Sequence, residues 1–234
     1  MSDPRLAELA AALAAVRARI AGACAAGRDP AEVTLVAVSK TWPAADVLRL
    51  HSLGVRDFGE SRDQDAKAKA TALAAAGADV RWHFVGRLQR NKCASVAGYS
   101  SVVHAVDRRE VVDALSAAAA RQGRLVDALV QVSLDGDPER GGVARAAVPE
   151  LAEAVAAAAG LRLAGVMAIA PLGGDPDAAF GALAATAAEL RRSHPAAATV
   201  SAGMTGDLEA AIRHGSTCVR VGTALFGSRG VPLH

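Results

Sequence analysis

Residues 33–60 read VTLVAVSKTWPAADVLRLHSLGVRDFGE. An apolar, β-branched run over 34–39 gives way to apolar residues spaced three and four apart over 44–53, and then to a second strand-like run over 55–58. This is a strand–helix–strand unit, and its pattern recurs along the chain. Further strands are predicted at 81–85, 102–105, 128–132, 163–167, 199–201 and 218–221. Helices are predicted at 62–76, 88–97, 109–121, 144–159, 177–192 and 205–213, with an extra helix at 5–23 ahead of the first strand. Eight such units in about 200 residues predict an α/β fold, a single (β/α)8 TIM barrel with an extra N-terminal helix. No G-x-G-x-x-G or Walker-type loop supports a nucleotide fold. No Pro/Gly/Ser-rich linker divides the chain, so 1–234 is expected to be one domain, with 1–24 as a helix packed on the barrel.

Composition fits a finely packed core. Of 234 residues, 52% are hydrophobic, 58 are alanine and only 3% are aromatic, which suits close helix-on-strand packing. A net charge of +2 from 26 basic and 24 acidic residues offers no field for a polyanion, so nucleic acid is not an expected partner. The three cysteines lack metal-type or disulfide-frame spacing, which fits free thiols in a reducing compartment. Residues 1–23 carry acids and arginines at helical spacing, unlike a signal peptide or membrane span. A cytoplasmic protein without a membrane partner is expected.

In a barrel, polar residues at the C-terminal ends of strands share one mouth. Lys40 ends the apolar run VTLVAVSK, whereas Lys67, Lys69 and Lys92 fall on predicted helices. A lysine rising from an apolar strand either snorkels to solvent or, partly desolvated, offers a neutral amine to a carbonyl. The turns SAGMTGDLEAAI (201–212) and VRVGTALFGSRG (219–230) follow strands seven and eight, where barrels commonly hold phosphate. Gly203 and Gly222 are expected to let the backbone approach an anion, with Ser201 and Thr223 adding hydroxyls and Thr205 or Asp207 capping the helix after Met204. Arg220 sits inside an apolar strand and needs either a carboxylate such as Glu60 or a ligand, for which a heteroaromatic ring nitrogen is suitable. Glu60, Ser61, His83, Gly86 and Met167 complete the candidate mouth positions, although a lone strand histidine is also a common core residue.

The segments VAVSK, FGESRDQDAKAK, WHFVGRLQRNK, LVQVSLDGDPERGGV, LAGVMAIAP, SAGMTGDLEAAI and VRVGTALFG, in that order over about 5–229, resemble the pyridoxal 5'-phosphate homeostasis protein family. That family's fold is similar to the barrel domain of alanine racemase. The resemblance implies that pyridoxal phosphate (PLP) is held as a Schiff base on Lys40. It also implies that Ser201, Arg220, Gly222 and Thr223 surround it. Together with the mouth positions, the expected cofactor-binding set is Lys40, Ser61, His83, Met167, Ser201, Gly203, Met204, Thr205, Arg220, Gly222 and Thr223, with no metal and no catalytic residue. Members usually read FGEN and SMGMS where this chain has Ser61, Ala202 and Thr205. Thr205 keeps a hydroxyl, while Ser61 is shorter than asparagine.

The implied function is intracellular PLP homeostasis and supply without efficient catalysis, with apo PLP-dependent enzymes as recipients and a monomeric state. The alternative is a PLP-dependent amino acid racemase or lyase. Two-base racemisation needs an acid on each face of the substrate adduct. The chain's one tyrosine, Tyr99, precedes strand four and is expected at the wrong end of the barrel. A third possibility is a phosphosugar aldolase using Lys40.

Overall fold

The computed structural model describes residues 3–25 and 27–228, so both extremes of the expected 1–234 domain, and the end of the family-like stretch at Arg229, lie outside the described residues. Strands β1 (Thr34–Val38), β2 (Asp57–Glu60), β3 (Arg81–Phe84), β4 (Val102–Val106), β5 (Val126–Gln131), β6 (Leu161–Met167), β7 (Thr199–Ser201) and β8 (Cys218–Val221) form a closed barrel in sequence order. Every neighbouring pair is parallel, and β1 closes the ring against β8 with Val36 opposite Arg220. The predicted TIM barrel is therefore present.

The helices are α1 (Pro4–Ala23), α2 (Ala44–Ser52), α3 (Asp63–Ala75), α4 (Cys93–Tyr99), α5 (Arg109–Arg121), α6 (Val148–Ala156), α7 (Pro176–Ser193), α8 (Leu208–Arg213) and α9 (Thr223–Phe226). Three predicted helices start too early. Residues 90–92 and 145–147 are tight 3₁₀ turns ahead of α4 and α6, and 204–207 form a turn ahead of α8. Residue type alone does not mark where a helix begins, because residues such as those at 90–92 and 145–147 serve a 3₁₀ turn as well.

The extra helix α1 begins where Asp3 caps it, its carboxylate accepting from Arg5 N at 3.0 Å and Leu6 N at 3.2 Å, with Pro4 in the first turn. Leu9, Leu13, Val16 and Ile20, spaced four, three and four, bury one stripe against Ile212, Leu225 and Phe226. That stripe closes the helix ring beside α9, which is only one turn long. Alternation along the strands divides their side chains. Phe58, Trp82, Val219 and Val221 pack outward under the helices, whereas Val102, Leu129 and Met167 meet inside the barrel. None of the described helices is long and apolar enough to cross a membrane.

Candidate functional site

Arg220 lies on the inward face of β8 and is 5% exposed. One terminal nitrogen donates to Ser201 Oγ at 2.6 Å and the other to Ala168 O at 3.0 Å. No carboxylate among the described residues makes an ion pair with it; Asp207 acts on it only through space, and burial holds its pKa below the ordinary value. Glu60, the carboxylate partner considered from the sequence, points elsewhere. A guanidinium taken out of water without a counter-ion is costly, so its presence marks a place where an acceptor is expected to arrive.

From Ser201 a line of buried hydrogen bonds runs to the opposite end of the barrel. Ser201 Oγ lies 2.9 Å from His104 Nδ1, His104 Nε2 lies 2.9 Å from His83 Nδ1, and His83 Nε2 lies 2.8 Å from Asp57 Oδ1. His83 and His104 face a 290 Å³ cavity at the N-terminal end of the strands, ringed by Thr34, Arg81, Thr199 and Thr217. Asp57 stands at the start of β2 near Arg81, which also pairs with Asp127 at 2.7 Å. His83, expected from the sequence among the cofactor-binding residues, has both its ring nitrogens engaged inside the barrel. His104 is missing from the expected set because it sits in the apolar run VVHAV and its partners lie 21 and 97 residues away.

Burial pushes both imidazoles below their ordinary pKa of 6.5, His104 furthest, while Asp57 pulls His83 partly back. In the unfolded chain each ring takes a proton as pH falls through 6.5, whereas the native ring does not, so the unfolded state binds more protons. Stability is therefore full above pH 6.5 and falls as pH drops toward the native values, by up to about 1.4 kcal/mol per pH unit for each ring. Urea unfolding at pH 7.5, 6.5 and 5.0 checks this, and a midpoint that stays flat across the series contradicts it.

Lys40 lies two residues beyond β1. It is exposed, the snorkelling outcome of the two alternatives that the sequence left open. The cause is local: Trp42 N donates to Ser39 O at 3.0 Å, closing a turn that lifts Lys40 past the strand. Thr41 takes φ 70° in this turn, a strained conformation for a β-branched residue. Ser39 is anchored from behind. Its Oγ donates to Glu60 Oε1 at 2.6 Å, and Lys69 Nζ donates to both Ser39 O (2.7 Å) and Glu60 Oε1 (2.6 Å). The buried lysine is thus Lys69 on α3, and Glu60 faces the layer between strands and helices instead of the mouth. A strand-parity count on β2, which puts Glu60 beside Phe58 on the outer face, could have shown this.

The two glycine turns meet near the C-terminal end of β1. Arg220 N donates to Gly203 O at 2.9 Å, and Ala224 N to Thr205 Oγ1 at 3.4 Å. A Cβ on Gly222 would lie 3.3 Å from Val38 O, and one on Gly203 would lie 2.7 Å from Ala211 Cβ. Neighbouring protein atoms, and not only an approaching anion, therefore account for both glycines. Asp207 sits at the α8 cap position, yet its carboxylate turns back to accept from Met204 N at 2.6 Å. Thr223 begins α9, whose first N–H groups have no partner within the helix. Ser201 is fully buried with its hydroxyl engaged as described, Met167 packs on Val102 and Leu129, and Met204 is exposed at the rim. Ser61 is half-buried against Gly86, where a Cβ would meet Ser61 O at 2.5 Å. Tyr99 ends α4 and packs among residues between barrel and helices, its hydroxyl buried and without a partner in the structure.

The family model for the N-terminal domain of alanine racemase matches residues 11–230. The chain belongs to this family. Within the alanine racemase N-terminal domain family, it is 46% identical to the pyridoxal phosphate homeostasis protein of Mycobacterium bovis, over 96% of this chain and 94% of that one. The protein of the same name from Escherichia coli K12 is 37% identical, over 95% and 97%. Among solved structures, PipY of Synechococcus elongatus, determined with PLP bound, aligns with a TM-score of 0.80 at 34% identity, over 94% of this chain and all of PipY (100%). Alanine racemase of Corynebacterium glutamicum shares the fold, with a TM-score of 0.69 at 16% identity over 60% of its length.

Proposed function

We propose that this chain binds PLP at the C-terminal mouth of its barrel as a Schiff base on Lys40, and serves PLP homeostasis and supply without efficient catalysis. The observation that carries this reading is Arg220, a buried donor without a carboxylate ion-pair partner among the described residues, set on the strand next to the one that leads to Lys40. The family relationship supports it, since PipY was solved with PLP bound. The residues fit the group chemically. Lys40 stands in the turn that follows β1, at the C-terminal end of the strand where the mouth opens. The turns around Gly203 and Thr223 offer backbone N–H groups to a phosphate, and Arg220 offers a fixed proton to a ring nitrogen.

Bound PLP supplies an aldehyde carbon that an amine attacks and a ring that withdraws electrons. The protein's part is to orient that ring and hold its charge. Arg220 keeps its own proton, so a ring nitrogen facing it stays unprotonated and the ring withdraws electrons weakly. Tyr99, enclosed in the helix layer, supplies no acid to the mouth. The chain acts as one domain, in our reading a cytoplasmic monomer that hands PLP to apo-enzymes. Incubation with PLP is expected to give the absorption band of a protonated imine and, after borohydride reduction, a mass adduct on the peptide carrying Lys40. Lys40→Ala is expected to lose both. A wild-type protein that remains colourless and unmodified overturns the proposal.

A further inference from the structure

The barrel interior contains a polar string that the proposed chemistry does not itself require. It spans the barrel from Asp57 at the start of β2, through His83 on β3, His104 on β4 and Ser201 on β7, to Arg220 on β8. Donor and acceptor matching gives the string a single direction. A guanidinium only donates, so Ser201 Oγ accepts from Arg220 and its own proton goes to His104 Nδ1. His104 then carries its proton on Nε2 and donates to His83 Nδ1. His83 in turn carries its proton on Nε2 and donates to the Asp57 carboxylate. The reverse direction would make Ser201 Oγ accept from both Arg220 and His104, and would require either a protonated Asp57 or a charged His83, the latter opposed by burial of that ring.

We propose that Asp57, His83 and His104 are positioning residues for the mouth of the barrel, fixing through Ser201 the orientation and charge compensation of Arg220. This rests on the PLP reading above and extends it to residues that touch no ligand. The ionised Asp57 serves as the remote counter-charge of the buried guanidinium, with two imidazole dipoles and one hydroxyl dipole aligned between them. Alignment makes Ser201 Oγ a stronger acceptor, and together with Ala168 O it holds both terminal nitrogens of Arg220 in one plane. It also commits the Ser201 hydroxyl to the interior, so the ligand-facing donor in this part of the mouth is Arg220 and not Ser201.

The test needs both the wild-type protein and one substitution. In ¹⁵N imidazole spectra of the wild type, His83 and His104 are both expected as neutral rings protonated on Nε2; a proton on Nδ1 of either ring overturns the proposal without any variant having to fold. His104→Phe removes both central bonds. It is expected to weaken PLP binding about tenfold or more and to shift the absorption maximum of the bound chromophore, while the borohydride adduct on Lys40 still forms. His104→Gln, which retains one donor and one acceptor, is expected to restore most of the affinity and the band. If His104→Phe lowers only the melting temperature of the apo-protein and leaves band and affinity unchanged, the string is structural and the proposal fails. Loss of the Lys40 adduct in the wild type itself would instead defeat the PLP reading, so the two failures are distinguishable.

Discussion

Gly165→Ala is expected to give little or no folded protein. Gly165 lies in β6 opposite Thr199 of β7, with φ 148°. A Cβ there would stand 1.9 Å from Thr199 O and 2.7 Å from Thr199 C, a backbone collision that no rotamer change relieves. The geometry arises from a bulge: Ala128 pairs with Leu163 but Leu129 pairs with Gly165, so Ala164 is an extra residue in β6. Relief of the clash would require β6 and β7 to separate, which opens a closed sheet. The cost is expected to exceed about 4 kcal/mol, the range reserved for substitutions that break a core element. The informative control is Gly77→Ala, at φ 70° but with nothing within 4 Å of its Cβ, expected to cost only about 1–2 kcal/mol. Soluble yield and thermal unfolding by circular dichroism compare the pair, and a Gly165→Ala protein that melts near the wild type would show that the two strands can part.

Lys69→Ala is expected to destabilise the protein by about 3–5 kcal/mol, because it leaves a carboxylate buried without its cation. Glu60 has 1% side-chain exposure, and its Oε2 already lacks a hydrogen-bond partner in the structure. Lys69, at 10%, is its salt-bridge partner. At this chain length such a loss lowers the melting temperature by roughly 10 °C. The double variant Lys69→Ala with Glu60→Gln is expected to recover much of it, since the uncompensated charge is removed with its partner. Calorimetry on the three proteins decides between an electrostatic and a packing origin. If the double variant is as unstable as the single one, packing of the lysine stem is the cause. The single variant also removes the bond to Ser39 O, so the strained turn at Thr41 loses one of its supports and Lys40 is less firmly placed.

The barrel was legible because each unit announces itself in two periods, and β7 and β8 fall where the β-branched runs lie. Helix starts drifted where the turn before the helix carries residues that also suit a first helical turn, alanine at 145–147 and the capping residues Thr205 and Asp207 at 205–207. Arg220 was legible for a physical reason: an arginine within CVRV has to face something. Glu60 was assigned to the mouth and Lys69 was passed over because each was judged by its position along the chain. Their pairing appears only when the outward parity of β2 is combined with the register of α3. His104 stayed hidden for a similar reason. Its meaning depends on three other strands, and a histidine between valines looks like core until its neighbours across the barrel are known.

The last helix of the ring, α9, is a single turn, and α1 covers the ground it leaves bare, with Arg5 reaching across to Phe226 O at 2.9 Å. Since α8 and α9 leave the ribosome roughly 200 residues after α1, that apolar stripe waits on the order of 10–40 s for its seat at ordinary translation speeds. The nascent chain is thus a clasp whose hook is made long before its eye. Until the eye appears the apolar stripe has no native cover, so synthesis is a stage at which this molecule is open to aggregation.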